Sequence, residues 1–478
     1  MTKRNDYDAV VVGAGPNGLA AAITLGRQFN AVLLLEAAKT IGGGVRSAEL
    51  TLPGFHHDVC SAIQPLSLAS PFFRQLDLPQ YGLEWIQPEI PLAHPFEDGS
   101  ALFLHRSLEI TAEVMGADGK AYKRLLQPFV DNETRFLADI LKPLGFPASP
   151  FLMARFAYHA LRSLKNLVGT QFQSDRTRAL FAGLAGHAMI PLEQAATAAF
   201  SIVLATLAHT VGWPIIRGGS QKLADALADC FRNTGGEIVT DRRIASMADL
   251  PKAASYFFDV TPRQLLRIEG LGLSDAYRNR LAGFRYGPGV YKMDWALHEP
   301  IPWRADICRK AATVHLGGSF DEIAASIRDV HSGKAPSAHY IVLAQQSLFD
   351  ASRTPSGKHT AWAYCHVPHG STADVSALVE SRIEGYAPGF REVILARNGL
   401  TAGAMEQYNA NYVGGDINGG IQDLRQLYTR PIASLHSYRT SGKDIYLCSS
   451  STPPGGGVHG LCGCYAAADL CRRLQGDA

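Results

Sequence analysis

The sequence predicts an α/β fold in which a Rossmann-type dinucleotide-binding domain is interleaved with an α+β domain. Three observations predict it. A short β-branched run leads directly into a glycine-rich loop and an alanine-rich helix near residue 15. The next apolar run closes on a glutamate, and an arrangement of strand, glycine turn and helix returns near residue 450.

Tyr7 to Val12 (YDAVVV) has the look of a buried parallel strand. Gly13-Ala14-Gly15-Pro16-Asn17-Gly18 follows as a GxGxxG, and Leu19 to Leu25 is a strong helix former. In that context Gly13 permits the tight turn, Gly15 lets backbone approach a pyrophosphate, and Gly18 lets the helix pack close to the sheet. The free N–H groups at the helix start then face the phosphates. The second run, Ala31 to Leu35, ends at Glu36 and Ala37. A carboxylate there accepts hydrogen bonds from ribose hydroxyls and repels a 2′-phosphate.

Ile41-Gly42-Gly43-Gly44-Val45-Arg46-Ser47 separates FAD from NAD. A second glycine turn lets backbone and Arg46 approach the extended phosphate–ribityl part of FAD, an element that NAD dehydrogenases do not need. An ordinary loop with a surface arginine is the plainer alternative.

Residues 66–210 lose the strand pattern and read mostly as helix, with 121–141 and 151–168 carrying apolar residues at three- and four-residue spacing. The segment from Phe151 to Lys165 is both apolar and basic. It reads as a helix packed on the substrate domain, with membrane-surface contact as the alternative. Near residue 210 the chain returns to strands: a helix at 222–234, a glycine turn and strand at 235–240, then Arg243-Ile244 and the apolar run Tyr256 to Val260. Residues 285–304 hold a period-2 strand around Lys292, and Pro453 to Gly460 is a glycine-rich turn between the strand at 445–448 and a helix at 465–474. Such a turn can aim backbone N–H groups at a cofactor edge.

With 45 Lys plus Arg against 43 Asp plus Glu, the net charge of +2 shows no basic excess of the kind a nucleic-acid binder carries. Apolar residues at 46% and charged residues at 18% fit a folded globular chain of two or three domains. Residues 1–9 are polar, which predicts no signal peptide, and no run of 18 apolar residues suggests a spanning helix. Eight scattered cysteines favour reduced thiols in a cytosol-like compartment. The close pair Cys462 and Cys464 fits neither a zinc knuckle nor a dithiol, and the 16 dispersed histidines form no metal cluster, so no metal is expected.

Together, VVVGAGPNGLAAA, the Glu36 to Arg46 element, DVTPRQL at 259–265, YGPGVYKMDWAL at 286–297, VGGDINGG at 413–420 and PPGGGVHG at 453–460 resemble a known family. It is the phytoene desaturase-like (phytoene dehydrogenase-related) branch of the flavin amine oxidase superfamily, close to the type named for a pyridine nucleotide-disulfide oxidoreductase domain. The resemblance implies a discontinuous FAD-binding domain at 1–65, 211–262 and 426–478, and a substrate domain with a helical part at 66–210 and a sheet part at 263–425. It implies that Gly13, Gly15, Pro16, Asn17 and Gly18 hold the diphosphate, and that Glu36 and Ala37 hold the ribose. Gly43, Gly44 and Arg46 would follow the ribityl side, Ile244 the adenine, and Gly456, Gly457 and Val458 the isoalloxazine. Lys292 falls where amine oxidases carry a lysine linked through water to flavin N5. A salt-bridged or snorkelling lysine is the other reading of that residue.

Disulfide reductase chemistry is excluded by the absence of CxxC or CxxxxC near the first helix and of a second dinucleotide fingerprint. The leading expectation is an FAD-dependent dehydrogenase or desaturase acting on an apolar substrate, with an external acceptor such as oxygen or a quinone. Seven apolar side chains of the helical region (Phe72, Phe73, Leu76, Phe129, Phe136, Phe151 and Phe156) are expected to enclose its cavity. An amine oxidase, with Tyr286, Tyr291 and Trp295 caging the amine, and a non-catalytic FAD-binding regulatory protein are the alternatives. The adjacent pair His57-Asp58 reads as a structural turn, with polar contact to substrate or cofactor as its alternative. A cytoplasmic location, peripheral membrane contact and a homodimer complete the expectations.

Overall fold

The computed structural model describes residues 6–476, so residues 1–5 of the polar start lie outside the described residues. A five-stranded parallel sheet runs in the order Ile445–Leu447, Ala253–Phe258, Tyr7–Val12, Val32–Leu35, Glu237–Val239. Val12 lies opposite both Leu35 and Phe258, so the chain leaves three neighbouring strands at one level, through Gly13, Glu36 and Asp259. In open parallel sheets that carboxyl edge is where ligands bind.

Helix Pro16–Gly26 starts with proline at its first turn, where the missing N–H costs nothing. It is buried on nearly all sides because it packs against the sheet and against helices Gln221–Arg232 and Leu461–Gly476. A β-carbon at Gly18 would stand 1.8 Å from the Gly13 carbonyl oxygen, so only glycine allows this helix so near its strand.

A seven-stranded mixed sheet forms the second layer, in the order Ile394–Leu400, Gly289–Leu297, His359–Val367, Ile341–Ala344, Ala311–Leu316, Ile90–Pro95, Ala101–Leu104. The strand Gly289–Leu297 is buried at every position. Val290 belongs to the large core shared with helices Asp175–Gly186 and Thr197–His209, whereas Tyr291, Met293 and Trp295 join a second core beneath helix Ser376–Tyr386. Its alternation is thus between two buried faces rather than between core and solvent.

Two features depart from the sequence reading. The strands Ile90–Pro95 and Ala101–Leu104 pair as a hairpin inside the stretch read as helical. The long helices expected at 121–141 and 151–168 are each broken in two, giving Gly119–Val130, Glu133–Ile140, Pro150–Ala160 and Leu164–Gln171. Local caps explain the breaks. The Asn132 amide donates to the Pro128 carbonyl, and the Ser163 hydroxyl accepts the Asn166 N–H and starts a new helix.

Candidate active site

Between the carboxyl edge of the parallel sheet and one face of the mixed sheet lies a cavity of about 1130 Å³. That exceeds the roughly 300–1,000 Å³ of ordinary small-ligand pockets. Gly13, Gly15, Pro16, Asn17, Glu36, Ala37, Gly43, Gly44, Arg46, Ile244, Gly456, Gly457, Val458 and Lys292 all line it. Gly18, also expected at the diphosphate, does not line it; its N–H is donated to the Asp259 carboxylate at 2.9 Å.

Glu36 is 8% exposed and holds the loops that follow the first two strands. Its Oε2 accepts the Ala14 N–H at 2.8 Å, and Oε1 accepts the Ala38 N–H at 2.8 Å and Arg46 Nη2 at 3.0 Å. A carboxylate has about four acceptor sites, so one is left for a ribose hydroxyl. Arg46 also donates to the Thr40 carbonyl at 3.0 Å and lies over the Tyr408 ring. It is therefore fixed at the cavity wall by these contacts and is no free surface arginine.

Asp259 is a site residue that sequence reasoning missed. It directly follows strand Ala253–Phe258, lines the cavity and covers the start of the first helix, where a diphosphate would lie. Burial pushes its carboxyl up to about 7; the Gly18 N–H opposes that shift and the nearby Glu36 charge adds to it. A β-carbon at Gly15 would meet Asp259 Oδ2 at 2.9 Å, so the closest neighbour of that position is this carboxylate.

The residues at this site fit a flavin dinucleotide. Three parallel strand ends, a bonded glutamate with a spare acceptor and a helix start converge on a space larger than a single small ligand needs. Asn17 Oδ1 is buried there without a hydrogen-bond partner among the described residues.

Lys292 lies farther along the same cavity. Its Nζ pairs with Asp294, and both side chains are almost fully buried. They share a face because they stand two apart on one strand. Burial pushes the lysine down and the aspartic acid up, to about 6 for Asp294, while their mutual attraction opposes both shifts. His57 Nδ1 stands 3.5 Å from Asp294, and His57 Nε2 is 2.8 Å from the Thr51 hydroxyl. Burial, with Lys292 and Arg353 close by, lowers the His57 imidazole to about 3, so it is neutral. Asp58 pairs with Arg353 at 3.2 Å and accepts the Ser220 N–H at 2.7 Å. The His57-Asp58 pair, read as a turn, is a strand, His56–Asp58, paired with Ser47–Glu49 and built into this network.

The expected aromatic cage is not on the cavity. Tyr291 donates to Asp374 and Trp295 to Glu380 on the opposite face of the sheet, and Tyr286 accepts the Arg263 N–H outside the cavity. Odd and even positions of one strand face opposite ways, which removes Tyr291 and Trp295 from the side of Lys292. Trp362 and Tyr364, opposite Asp294 and Lys292 on the neighbouring strand, line the cavity instead. Of the seven apolar side chains expected to enclose it, only Phe156 does; Phe72, Phe73, Leu76, Phe129 and Phe136 fill the core, and Phe151 is 91% exposed.

Residues 11–76 match the NAD(P)-binding Rossmann-like domain family. The chain is 26% identical to the mouse pyridine nucleotide-disulfide oxidoreductase domain-containing protein 2, covering 98% of this chain and 94% of that protein. It is 32% identical to hydroxyneurosporene desaturase of Cereibacter sphaeroides over 46% of each chain. Cyclohexylamine oxidase from Brevibacterium oxydans has the same fold, with a TM-score of 0.61 at 14% identity over 98% of this chain and all of that one.

Proposed function

We propose, for a chain that is an FAD-type oxidoreductase of the amine oxidase/desaturase superfamily, that it dehydrogenates or desaturates an apolar, isoprenoid- or lipid-like substrate. Oxygen or a quinone would take up the electrons. Bound FAD supplies a hydride acceptor at N5. Gly13, Gly15 and the helix start hold its diphosphate, Glu36 its ribose, and the Gly456–Val458 turn its ring system. Lys292 Nζ lines the cavity and donates to Asp294; by passing its own proton to that carboxylate it can take the proton that leaves with the substrate's second hydrogen and so remain an ammonium. The apolar walls exclude water from the reacting carbon.

The observation that carries this reading is the lining of the cavity. Met153, Phe156, Phe200, Val203, Leu204 and Val342 contribute apolar wall. The carboxylates among the described lining residues are Glu36, Asp139 and Asp259. Each is already bonded, Asp139 to Lys142 and to two backbone N–H groups. An alkylammonium would have no free carboxylate to meet. Amine oxidation is the second reading, favoured by the placing of Trp362 and Tyr364 beside Lys292. The name of the desaturase relative supports the first reading, and that of the cyclohexylamine oxidase the second. The eight free cysteines accord with a reducing, cytoplasmic setting.

Anaerobic photometry of the flavin-loaded protein against polyenes, unsaturated lipids and amines separates these readings. Bleaching by apolar substrates alone supports the proposal, and bleaching by amines alone moves it to the second reading. A flavin that no substrate or reductant can bleach would make the protein a non-catalytic FAD binder.

A further inference from the structure

Among the described residues, three aromatic rings are more than 70% exposed, and all lie within one short stretch: Phe146 at 87%, Phe151 at 91% and Tyr158 at 72%. Leu144 and Leu161, at 67% and 48%, flank them. Single exposed apolar side chains are ordinary, but a cluster of five in residues 144–161 marks a binding surface.

Helix Pro150–Ala160 is apolar on both sides. Met153 and Phe156 turn inward and line the cavity, while Phe151, Arg155 and Tyr158, at spacings of four and three, form an outer stripe. The inner face accounts for the packing expected from the sequence, whereas the Phe151 and Tyr158 rings of the outer stripe stand largely exposed and Arg155 donates to the Arg124 carbonyl. Its own stretch of chain is basic: Lys142, Arg155, Arg162 and Lys165 occur between Asp139 and Asp175, and no carboxylate does, in a chain whose net charge is only +2. Lys142 is paired with Asp139, so Arg155, Arg162 and Lys165 carry the basic charge. Leu144 is both exposed and part of the cavity wall, so this surface continues into the cavity mouth.

We propose that residues 142–165 dock the protein on an anionic phospholipid bilayer, with the outer stripe of helix Pro150–Ala160 inserted among the headgroups and the cavity mouth opening toward the lipid. Eleven residues of helix rise only about 16 Å, too short to cross roughly 30 Å of hydrocarbon, so the helix lies in the interface. Aromatic rings suit that depth, and Arg155, Arg162 and Lys165 meet the anionic headgroups. An apolar substrate would then pass from bilayer to cavity without entering water. Docking is measured without substrate, so its failure leaves the proposed reaction standing, and the reverse also holds.

Flotation of the flavin-loaded protein with phosphatidylcholine vesicles, with and without roughly one-third phosphatidylserine, tests the proposal. The wild type should float with the anionic vesicles, less with the neutral ones, and less again as salt is raised. Phe146→Ser/Phe151→Ser/Tyr158→Ser should weaken binding by at least about tenfold while flavin absorbance and melting temperature stay unchanged. Arg155→Glu/Lys165→Glu alters only exposed positions and should abolish the preference for anionic vesicles; it keeps the test decisive if the triple variant folds poorly. Wild-type protein that ignores anionic vesicles at low salt, or variants that float as well as the wild type, would overturn the proposal. So would a dimer in light scattering that the triple variant dissociates, because the stripe would then be a contact between two copies.

Discussion

Glu36 ties two backbone loops and Arg46 to one carboxylate, so its removal acts on more than the ribose. Glu36→Ala should weaken FAD binding by about 1.5–3 kcal/mol, as expected for hydrogen bonds to a charged group, read from flavin retained on dialysis. Gly15→Val should purify without flavin, because its new side chain strikes the Asp259 carboxylate that covers the helix start; full flavin absorbance would refute that placement. Asp259 also introduces a pH dependence. Between the ordinary carboxylate range and about 7 the folded chain holds a proton on Asp259 that the unfolded chain has released. Stability of the flavin-free protein should therefore fall as pH rises through that window. A diphosphate brings negative charge to the same carboxyl, so FAD affinity should fall in the same direction through neutrality. Asp259→Asn should flatten both profiles, read by melting temperature and by FAD titration. The glycines, Glu36 and Arg46 were legible in the sequence because each carries a local motif. Asp259 was not, since its role depends on strand Ala253–Phe258 lying beside Tyr7–Val12, some 240 residues away.

The strand Gly289–Leu297 shows what one element adds. Its period of two was legible, but the cage expected of Tyr291 and Trp295 ignored it: that period puts both rings on the face opposite Lys292 and sets Asp294 beside the lysine. Trp362 and Tyr364 were not, because the register with the neighbouring strand is set by the whole sheet. Removing Lys292 alone leaves Asp294 buried and unpaired. Lys292→Met should cost about 3–5 kcal/mol of stability, and Lys292→Met/Asp294→Asn should recover most of it. Denaturant unfolding measures both. Both variants should keep FAD, and stopped-flow traces should show one half-reaction slowed, since a cation near N5 stabilises reduced-flavin charge. Rates unchanged from the wild type in both half-reactions would make the pair purely structural. The broken helices teach the opposite lesson: the apolar spacing across 121–141 and 151–168 was read correctly, but the Asn132 bond back to the Pro128 carbonyl and the Ser163 cap outweighed it.

At the scale of the molecule the two-sheet plan followed from motif order, whereas the content of the cavity did not. Apart from Phe156, the phenylalanines that seemed free to enclose a ligand were needed for the core, and Phe151 went to the surface. Composition gives the number of apolar side chains, but not which of two apolar destinations each takes. The cavity itself makes a quantitative claim. Ligands of increasing chain length should bind more tightly by up to about 0.8 kcal/mol per methylene until the space beside the flavin is full. Flavin absorbance titrations would show the series, and affinity indifferent to chain length would contradict an apolar site.

The parallel sheet joins strands 7–12, 253–258 and 445–447, and the cavity is closed by the turn at 456–458. This has a consequence for synthesis. At roughly 5–20 residues per second, the first strand, central in the sheet, waits about 12–50 s on the ribosome for its neighbour at 253–258, and longer still for the closing turn. The dinucleotide loop is made early, yet its cofactor cannot be enclosed until translation has passed residue 460. Nascent chains stalled short of that point should carry no flavin, and their uncovered β-branched first strand is the segment a chaperone would have to shield.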